Sequence, residues 1–196
     1  MKRSDELKKH LRPGQVYRRE ELAKWSTAVD RHLSQLMSDG TLTKLAGGLY
    51  FYPRQTVFGK APPEDTELVA SFLKDDRFLL LSPNAYNRLG VGTTQLYNKT
   101  VVYNRKRHGK FTLGGRSFDF RLKPSFPRKP TEEFLLVDLV NNLNQLAESR
   151  QEVLAQVKKR ATTSFDVPRL KRAARNYGNV KTQKFFADAL NAPHAG

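Results

Sequence analysis

The sequence predicts an α+β protein built from two domains. Two observations carry this prediction: short apolar strands bracket glycine pairs, and amphipathic helical patterns precede and follow them. A chain of 196 residues is long enough for one or two ordinary domains with cores of their own. The pair Pro62-Pro63 marks the boundary, so the predicted domains are 1–54 and 62–196, the second ending in a helical segment.

Three helices are predicted in the first domain. The first covers residues 4–11 and ends at Pro13-Gly14, because proline cannot continue a helix and glycine favours its end. A short extended piece at 15–17 leads to a second helix at 18–25. Ser26 or Thr27 is predicted to cap a third helix that runs to about Ser38.

The third helix has two different faces. Its apolar stripe recurs at helical spacing and consists of Val29, Leu33, Leu36 and Met37. The opposite face carries short or planar hydrogen-bonding side chains, the types that read base edges in a major groove. These candidate DNA-reading residues are Thr27, Asp30, Arg31, Ser34 and Gln35, with Ser38 beside them.

A hairpin follows this helix directly. In the stretch TLTKLAGGLYFYP, residues 41–53, a glycine pair supplies the positive backbone torsion that a tight turn demands. Helix, short strand, helix, helix and hairpin is the order of a winged helix-turn-helix, in which the hairpin is the wing. Lys44 and Arg54 are then expected beside the backbone of a DNA duplex. Winged helices also serve as protein-interaction modules, and that interpretation remains open.

The charge of the chain points to a polyanionic partner. Lys and Arg number 35 against 19 Asp and Glu, which gives a net charge of +16. Such a balance attracts nucleic acid, because neutralised phosphates release condensed counterions. We therefore expect double-stranded DNA as a partner. The chain has no cysteine and its longest apolar run, 78–81, is too short to cross a bilayer, so we expect a cytoplasmic protein with no membrane partner.

The second domain reads as a small antiparallel sheet followed by helices. A helix at 64–73 precedes a buried strand at 78–81, and further strands are predicted at 99–103, 110–113 and 117–122. Gly114-Gly115 forms the last hairpin turn. An amphipathic helix at 131–147 is capped by Thr131, and three shorter helices lie near 149–161, 166–176 and 179–190.

No arrangement of residues indicates catalysis. The segment GVGTT at 90–94 resembles a phosphate-binding loop but lacks its lysine, so a helix stop and a turn explain it better. Carboxylates such as Glu132, Glu133 and Asp138 fit a helix start and a solvated face. The histidines are too scattered for a metal site: His10, His32, His108 and His194. We expect no enzyme activity, metal or cofactor.

Two further basic clusters are candidate binding surfaces. Arg105, Lys106 and Arg107 lie at a probable strand turn, where they could grip phosphates or simply be solvated. A second basic patch decorates the final helices and could hold nucleic acid or an acidic protein partner: Arg169, Lys171, Arg172 and Arg175.

Three segments together resemble one protein family. AVDRHLSQLMSDGTLTKLAGGLYFYP, SPNAYNRLGVGTTQL and YGNVKTQKFFADAL are similar to the AbiE-type antitoxins, the DNA-binding component of type IV toxin-antitoxin and phage abortive-infection systems. The resemblance covers about residues 14–190. It implies an N-terminal winged helix that represses its own operon and a larger domain that carries the antitoxin activity, for which the loop at Thr93-Thr94 is a candidate.

The resemblance also implies a functional partner, a nucleotidyltransferase-like toxin that is countered without a stable complex. Two alternatives remain. The protein could be a transcriptional regulator unconnected with a toxin, whose second domain senses a ligand or partner. It could also be an enzyme acting on nucleic acid, an alternative that only the basic charge favours.

Overall fold

The structure is a computed structural model that describes the backbone of residues 3–191 and the side chains of residues 6–191. It is a mixed α+β structure with small sheets and helices towards its carboxyl end, as the sequence predicts. Among the described residues, no helix combines the length and apolar character needed to cross a membrane.

The N-terminal elements alternate short helices and strands. In chain order they are α1 (Arg3–Lys9), β1 (Val16–Arg18), α2 (Arg19–Leu22), a 3-10 turn (Ala23–Trp25), α3 (Val29–Ser38), β2 (Thr43–Ala46) and β3 (Leu49–Phe51). Their apolar faces meet in one core. Leu7, Leu22, Leu33 and Leu36 are its most buried members, each at most 1% exposed.

The start of α3 differs from the predicted one. Neither Ser26 nor Thr27 caps the helix, which begins at Val29 after Ala28. The hydroxyl of Ser26 instead bonds the Nδ1 of buried His32 at 2.7 Å and accepts from the amide of Ala28. Thr27, a predicted DNA-reading residue, lies in the turn before the helix and not on the helix itself.

The first sheet has three antiparallel strands in the order β1-β3-β2. Val16 pairs with Phe51 and Arg18 with Leu49. The register of β2 against β3 shifts between Lys44 and Ala46, as in a β-bulge. The turn between β2 and β3 is the predicted glycine pair, of which Gly48 takes a φ of +70°.

A second hairpin follows, and no turn sequence predicts it. It consists of β4 (Arg54–Thr56) and β5 (Gly59–Ala61), and α4 (Asp65–Leu73) comes next. The backbone amide of Val16 donates to the carboxylate of Glu67 on α4 at 2.7 Å.

The remaining elements form a four-stranded sheet and a group of helices. The strands are β6 (Leu79–Leu81), β7 (Thr100–Asn104), β8 (Gly109–Leu113) and β9 (Arg116–Leu122), in the sheet order β6-β7-β9-β8. A 3-10 helix (Pro83–Leu89) follows β6. The helices are α5 (Glu132–Asn142) with a 3-10 extension (Leu143–Gln145), α6 (Arg150–Thr163), α7 (Val167–Tyr177) and α8 (Val180–Asn191).

Contacts divide the chain into two compact units. The first unit covers the chain up to Arg77 together with Gly109–Phe118, and the second covers Phe78–His108 and the chain from Asp119 onward. These units do not coincide with the predicted segments 1–54 and 62–196, which stay a prediction about folding domains.

Helix α5 is the centre of the second unit. Six consecutive residues, Phe134 to Leu139, are buried, as expected of a helix that neighbours surround on every side. The side chain of Thr131 accepts from the amide of Phe134 at 3.2 Å, which confirms the predicted cap. Helices α6, α7 and α8 contribute Val157, Leu170 and Phe186 to the same core.

Candidate nucleic-acid interface

Helix α3 presents a polar face on a fixed apolar base. Val29, Leu33 and Leu36 are at most 7% exposed, so the helix cannot rotate without exposing them. The other side of the helix is exposed and carries four of the predicted DNA-reading residues together with Ser38: Asp30, Arg31, Ser34, Gln35 and Ser38.

Asp30 is engaged by a cation from a neighbouring helix. Both oxygens of its carboxylate accept from the Arg19 guanidinium, at 2.7 and 2.6 Å. These hydrogen bonds hold the pKa of Asp30 below its usual value. The backbone amide of Arg19 also donates to the carbonyl of Gly48 at 2.9 Å, so the same residue joins α2, α3 and the first hairpin. Asp30 therefore positions Arg19 rather than offering a free acceptor.

The serines of this face bond to the helix itself. The hydroxyl of Ser34 donates to the carbonyl of Asp30 at 2.9 Å, and that of Ser38 donates to the carbonyl of Gln35 at 2.8 Å. Among the residues that the structure describes, the side chains of Arg31 and Gln35 have no hydrogen-bond partner. These two long side chains are the ones that the face leaves available to a ligand.

Two basic residues of the hairpins, predicted to lie beside a DNA backbone, are exposed. Lys44 lies on β2, where it and Lys60 line one groove. Arg54 begins β4, and its guanidinium lies next to Gly14, where an added Cβ would come within 3.2 Å of it; Gly14 has a φ of +88°, which L side chains rarely adopt. The interval 40–63 contains Lys44, Arg54 and Lys60 and no acidic residue, and Asp39 and Glu64 flank it on either side.

The cluster at residues 105–107 occupies a turn with a buried support. Asn104 is 1% exposed, and its side-chain oxygen accepts from the amides of Lys106 and Arg107 at 2.8 and 2.7 Å. The Arg105 guanidinium donates to the carbonyl of Pro124 at 2.8 Å. All three basic side chains are exposed on the second unit, so this turn is an ordered cationic surface and not a loose loop.

The basic patch on α7 is also exposed. Arg169, Lys171, Arg172 and Arg175 all face outward, since Leu170, Ala173 and Ala174 form the buried side of the helix. The ammonium of Lys171 donates to the side chain of Asn191 on α8 at 3.0 Å.

The loop at residues 90–95 binds a carboxylate of the protein itself. The amides of Thr94 and Gln95 donate to one oxygen of Glu148 at 3.3 and 3.2 Å, and the Tyr97 hydroxyl donates to the other at 2.7 Å. Burial opposes ionisation of Glu148, but these hydrogen bonds outweigh it and lower the pKa. Glu148 therefore already occupies the amides that a phosphate would need, which favours the interpretation of this segment as a turn.

Asp138 is not on a solvated face, contrary to the prediction. It is 2% exposed and accepts from the hydroxyls of Tyr86 and Tyr103 at 2.7 and 2.9 Å and from the amide nitrogen of Asn142 at 3.2 Å. Burial raises the pKa of Asp138, and the two tyrosine hydrogen bonds counteract part of the rise. Burial also raises the pKa of Tyr86 well above its usual value. The apolar residues on both sides of Asp138, FLLVDLV, were the signal for its burial.

The histidine and carboxylate side chains were also searched for a metal-binding arrangement. Within residues 6–191 no cluster of three or more histidine and carboxylate side chains could hold a metal ion. His194, one of the four histidines named above, lies outside the described residues. No model of a protein family matches the chain, and searches of curated proteins and of solved structures find no significant match either.

Proposed function

We propose that the protein binds double-stranded DNA in a sequence-specific manner, with α1 to β3 acting as a winged helix-turn-helix. The observation that carries the proposal is the polar face of α3, where Arg31 and Gln35 project from a helix that its buried face holds rigid. In this proposal α3 enters the major groove and the hairpin β2-β3 is the wing. Arginine reads guanine and glutamine reads adenine through paired hydrogen bonds, so both side chains can distinguish sequences.

The remaining contacts position the protein without reading bases. Lys44 and Arg54 meet phosphates, whereas the charge of Arg19 is neutralised by its ion pair with Asp30. The basic turn Arg105–Arg107 and the α7 patch add positive charge on the second unit, which strengthens attraction to any nucleic acid.

We further propose that the DNA is the promoter of the protein's own operon and that the protein is a repressor and an antitoxin. This part rests on the resemblance to AbiE-type antitoxins, which implies a nucleotidyltransferase-like toxin as the functional partner. The antitoxin activity is assigned to the second unit.

The first test compares two duplexes. Fluorescence anisotropy measures binding of the full chain to its own upstream DNA and to a scrambled duplex, each at two salt concentrations. We expect binding to the upstream DNA about 1,000-fold tighter than to the scrambled duplex, and steeply weakened by salt. Equal, weak binding to both duplexes would overturn the proposal and leave the N-terminal elements as a protein-interaction module.

A second test addresses the toxin. The proposal requires a nucleotidyltransferase-like toxin encoded by a neighbouring gene; the two proteins are expressed together, and cell growth is measured. We expect growth to be restored, also by a variant in which Arg31→Ala and Gln35→Ala remove DNA reading. If the protein binds its upstream DNA specifically but does not restore growth, it is a transcriptional regulator and not an antitoxin.

A further inference from the structure

The hairpin β4-β5 ends in two fully exposed apolar side chains. Val57 is 94% exposed and Phe58 is 97% exposed, the highest values among the large hydrophobic side chains that the structure describes. Leaving a phenylalanine in water forgoes about 1.5 to 3 kcal/mol of the free energy that burial would supply. Two adjacent apolar side chains exposed at one hairpin tip form a small apolar patch, and such patches are found at interaction sites.

The turn itself does not require these residues. Two-residue hairpin loops favour Asn-Gly, Asp-Gly or Gly followed by another residue, whereas this loop is Val57-Phe58 between paired Thr56 and Gly59. The turn is held by other means: the Thr56 hydroxyl donates to the carbonyl of Gly59 at 2.8 Å and accepts from the amide of Phe58 at 3.2 Å. Gly59 takes a φ of +103°. The tip is thus an ordered presentation of two apolar side chains.

The base of this hairpin is attached to the end of α3. The ammonium of Lys60 on β5 donates to the carbonyl of Gly40, two residues beyond the helix, at 2.8 Å. The hairpin therefore lies beside the carboxyl end of the helix that we propose to enter the major groove. In a duplex, a minor groove lies on either side of the major groove that α3 would occupy.

The charge around the tip favours nucleic acid as the occupant. The interval 40–63 carries three cationic side chains and no acidic one. A lipid surface is a weaker candidate, because two apolar side chains supply too little buried area to anchor a protein stably to a bilayer. Proteins that enter the minor groove insert apolar wedges such as phenylalanine between base pairs, and this partial unstacking bends the duplex.

We propose that the hairpin β4-β5 is a minor-groove wedge, in which Phe58 inserts between two base pairs and Val57 packs on the adjacent sugars. The wedge rests on the proposed DNA binding and adds a second specificity to it. Insertion is easiest at flexible pyrimidine–purine steps, so such a step is preferred beside the bases that α3 reads.

The test measures affinity and bending together. The full chain is mixed with its upstream duplex carrying a donor and an acceptor dye at the two ends; energy transfer reports the bend and anisotropy reports binding. We expect the wild type to bend the duplex. Phe58→Ala should straighten it and weaken binding about tenfold or more, consistent with the loss of an inserted aromatic side chain, while Phe58→Leu should retain most of both effects.

Matched controls separate this wedge from exposed apolar residues in general. Leu96→Ala and Val180→Ala remove side chains that are 83% and 85% exposed on the second unit, and both should leave affinity and bend unchanged. Thermal unfolding by circular dichroism checks that Phe58→Ala is folded, which we expect since the side chain contacts water.

The outcomes distinguish the two proposals. Specific binding without a bend, or a bend that Phe58→Ala leaves intact, overturns the wedge and keeps the DNA-binding proposal. No binding to any duplex overturns both. If Phe58→Ala abolishes binding to anionic phospholipid vesicles and leaves the DNA bend as it is in the wild type, the tip binds a membrane and the wedge proposal is overturned.

Discussion

At the scale of single residues, Arg31 and Gln35 differ from their neighbours on α3 because, among the described residues, their side chains have no hydrogen-bond partner. Asp30 is held by Arg19, while Ser34 and Ser38 bond to carbonyls of their own helix. The two serine hydroxyls have used their only donor and can offer a base no more than an acceptor, and the carboxylate of Asp30 has fewer acceptor sites left. Sequence reading in the proposed complex therefore falls to the two long side chains.

We predict that Arg31→Ala and Gln35→Ala each reduce binding to the upstream DNA by about 1 to 3 kcal/mol and leave binding to scrambled DNA almost unchanged. Lys44→Ala should weaken both duplexes alike, because a phosphate contact carries no sequence information. Anisotropy titrations measure these losses. Lys24→Ala, at an exposed cation outside the predicted interface, is the control, and equal losses on both duplexes for all variants would show that α3 is not the reading helix.

Asp138 accepts hydrogen bonds from three buried side chains in the interior of the second unit. We predict that Asp138→Ala destabilises the protein by about 3 kcal/mol, because it leaves the buried hydroxyls of Tyr86 and Tyr103 without their acceptor. Asp138→Asn should cost less, since it keeps one acceptor oxygen and removes a buried charge. Urea unfolding measures both changes, and an Asp138→Ala loss below that of Asp138→Asn would contradict the network.

The pH dependence gives a further check on Asp138. Its pKa is raised in the folded state, so the folded state binds the proton more tightly than the unfolded chain does. This group therefore lowers stability as the pH rises from the ordinary aspartate pKa through the raised one. We predict that Asp138→Asn gains stability relative to the wild type over that interval, as measured by urea unfolding at several pH values. A difference that is constant with pH would contradict the prediction.

At the scale of elements, the loop 90–95 is held by hydrogen bonds to the carboxylate of Glu148. We predict that Glu148→Ala lowers the free energy of local opening at Thr94 and Gln95 by about 1 to 2 kcal/mol, seen as faster amide hydrogen exchange. The pKa of Glu148 is lowered in the folded state, so the wild-type loop should loosen progressively as the pH falls from the ordinary glutamate pKa through that lowered value. Exchange at the buried strand residue Val102 is the control and should not change.

At the scale of the whole molecule, the charge of +16 is spread over both units. The surface cations of the second unit would therefore determine its contribution to DNA binding. The turn at 105–107 is ordered by Asn104, and fixed cations bind phosphates with less loss of conformational entropy than mobile ones do.

We predict that replacing Arg105, Lys106 and Arg107 together with alanine weakens binding to every duplex alike. The slope of log affinity against log salt should fall by about 3 if all three meet phosphates. Lys158→Ala combined with Lys159→Ala, on exposed α6 positions of the same unit, is the control. An unchanged slope in the triple variant would restrict the DNA interface to the first unit.

Much of the fold was predictable because its causes are local. Glycine pairs at 47–48 and 114–115 mark the hairpins they form, and Thr131 marks the start of α5. The hairpin β4-β5 was missed because Val57-Phe58 is not a turn sequence, and the turn depends instead on the Thr56 hydroxyl. The start of α3 was misplaced because Ser26 bonds to a buried histidine six residues away rather than to the helix amides.

The sequence alone determined the α+β class, the apolar and polar faces of α3, the glycine turns and the positive charge, since each follows from residue type and spacing along a short stretch of chain. Only the tertiary structure decided that Asp30 holds Arg19, that Asp138 lies between two tyrosines, that Glu148 fills the amides of the loop 90–95, and that Lys60 ties an exposed apolar tip to the end of α3. The physical reason is that these contacts join residues far apart in the chain. Local propensity fixes which groups need a partner, and only the packing of distant segments decides which partner each group finds.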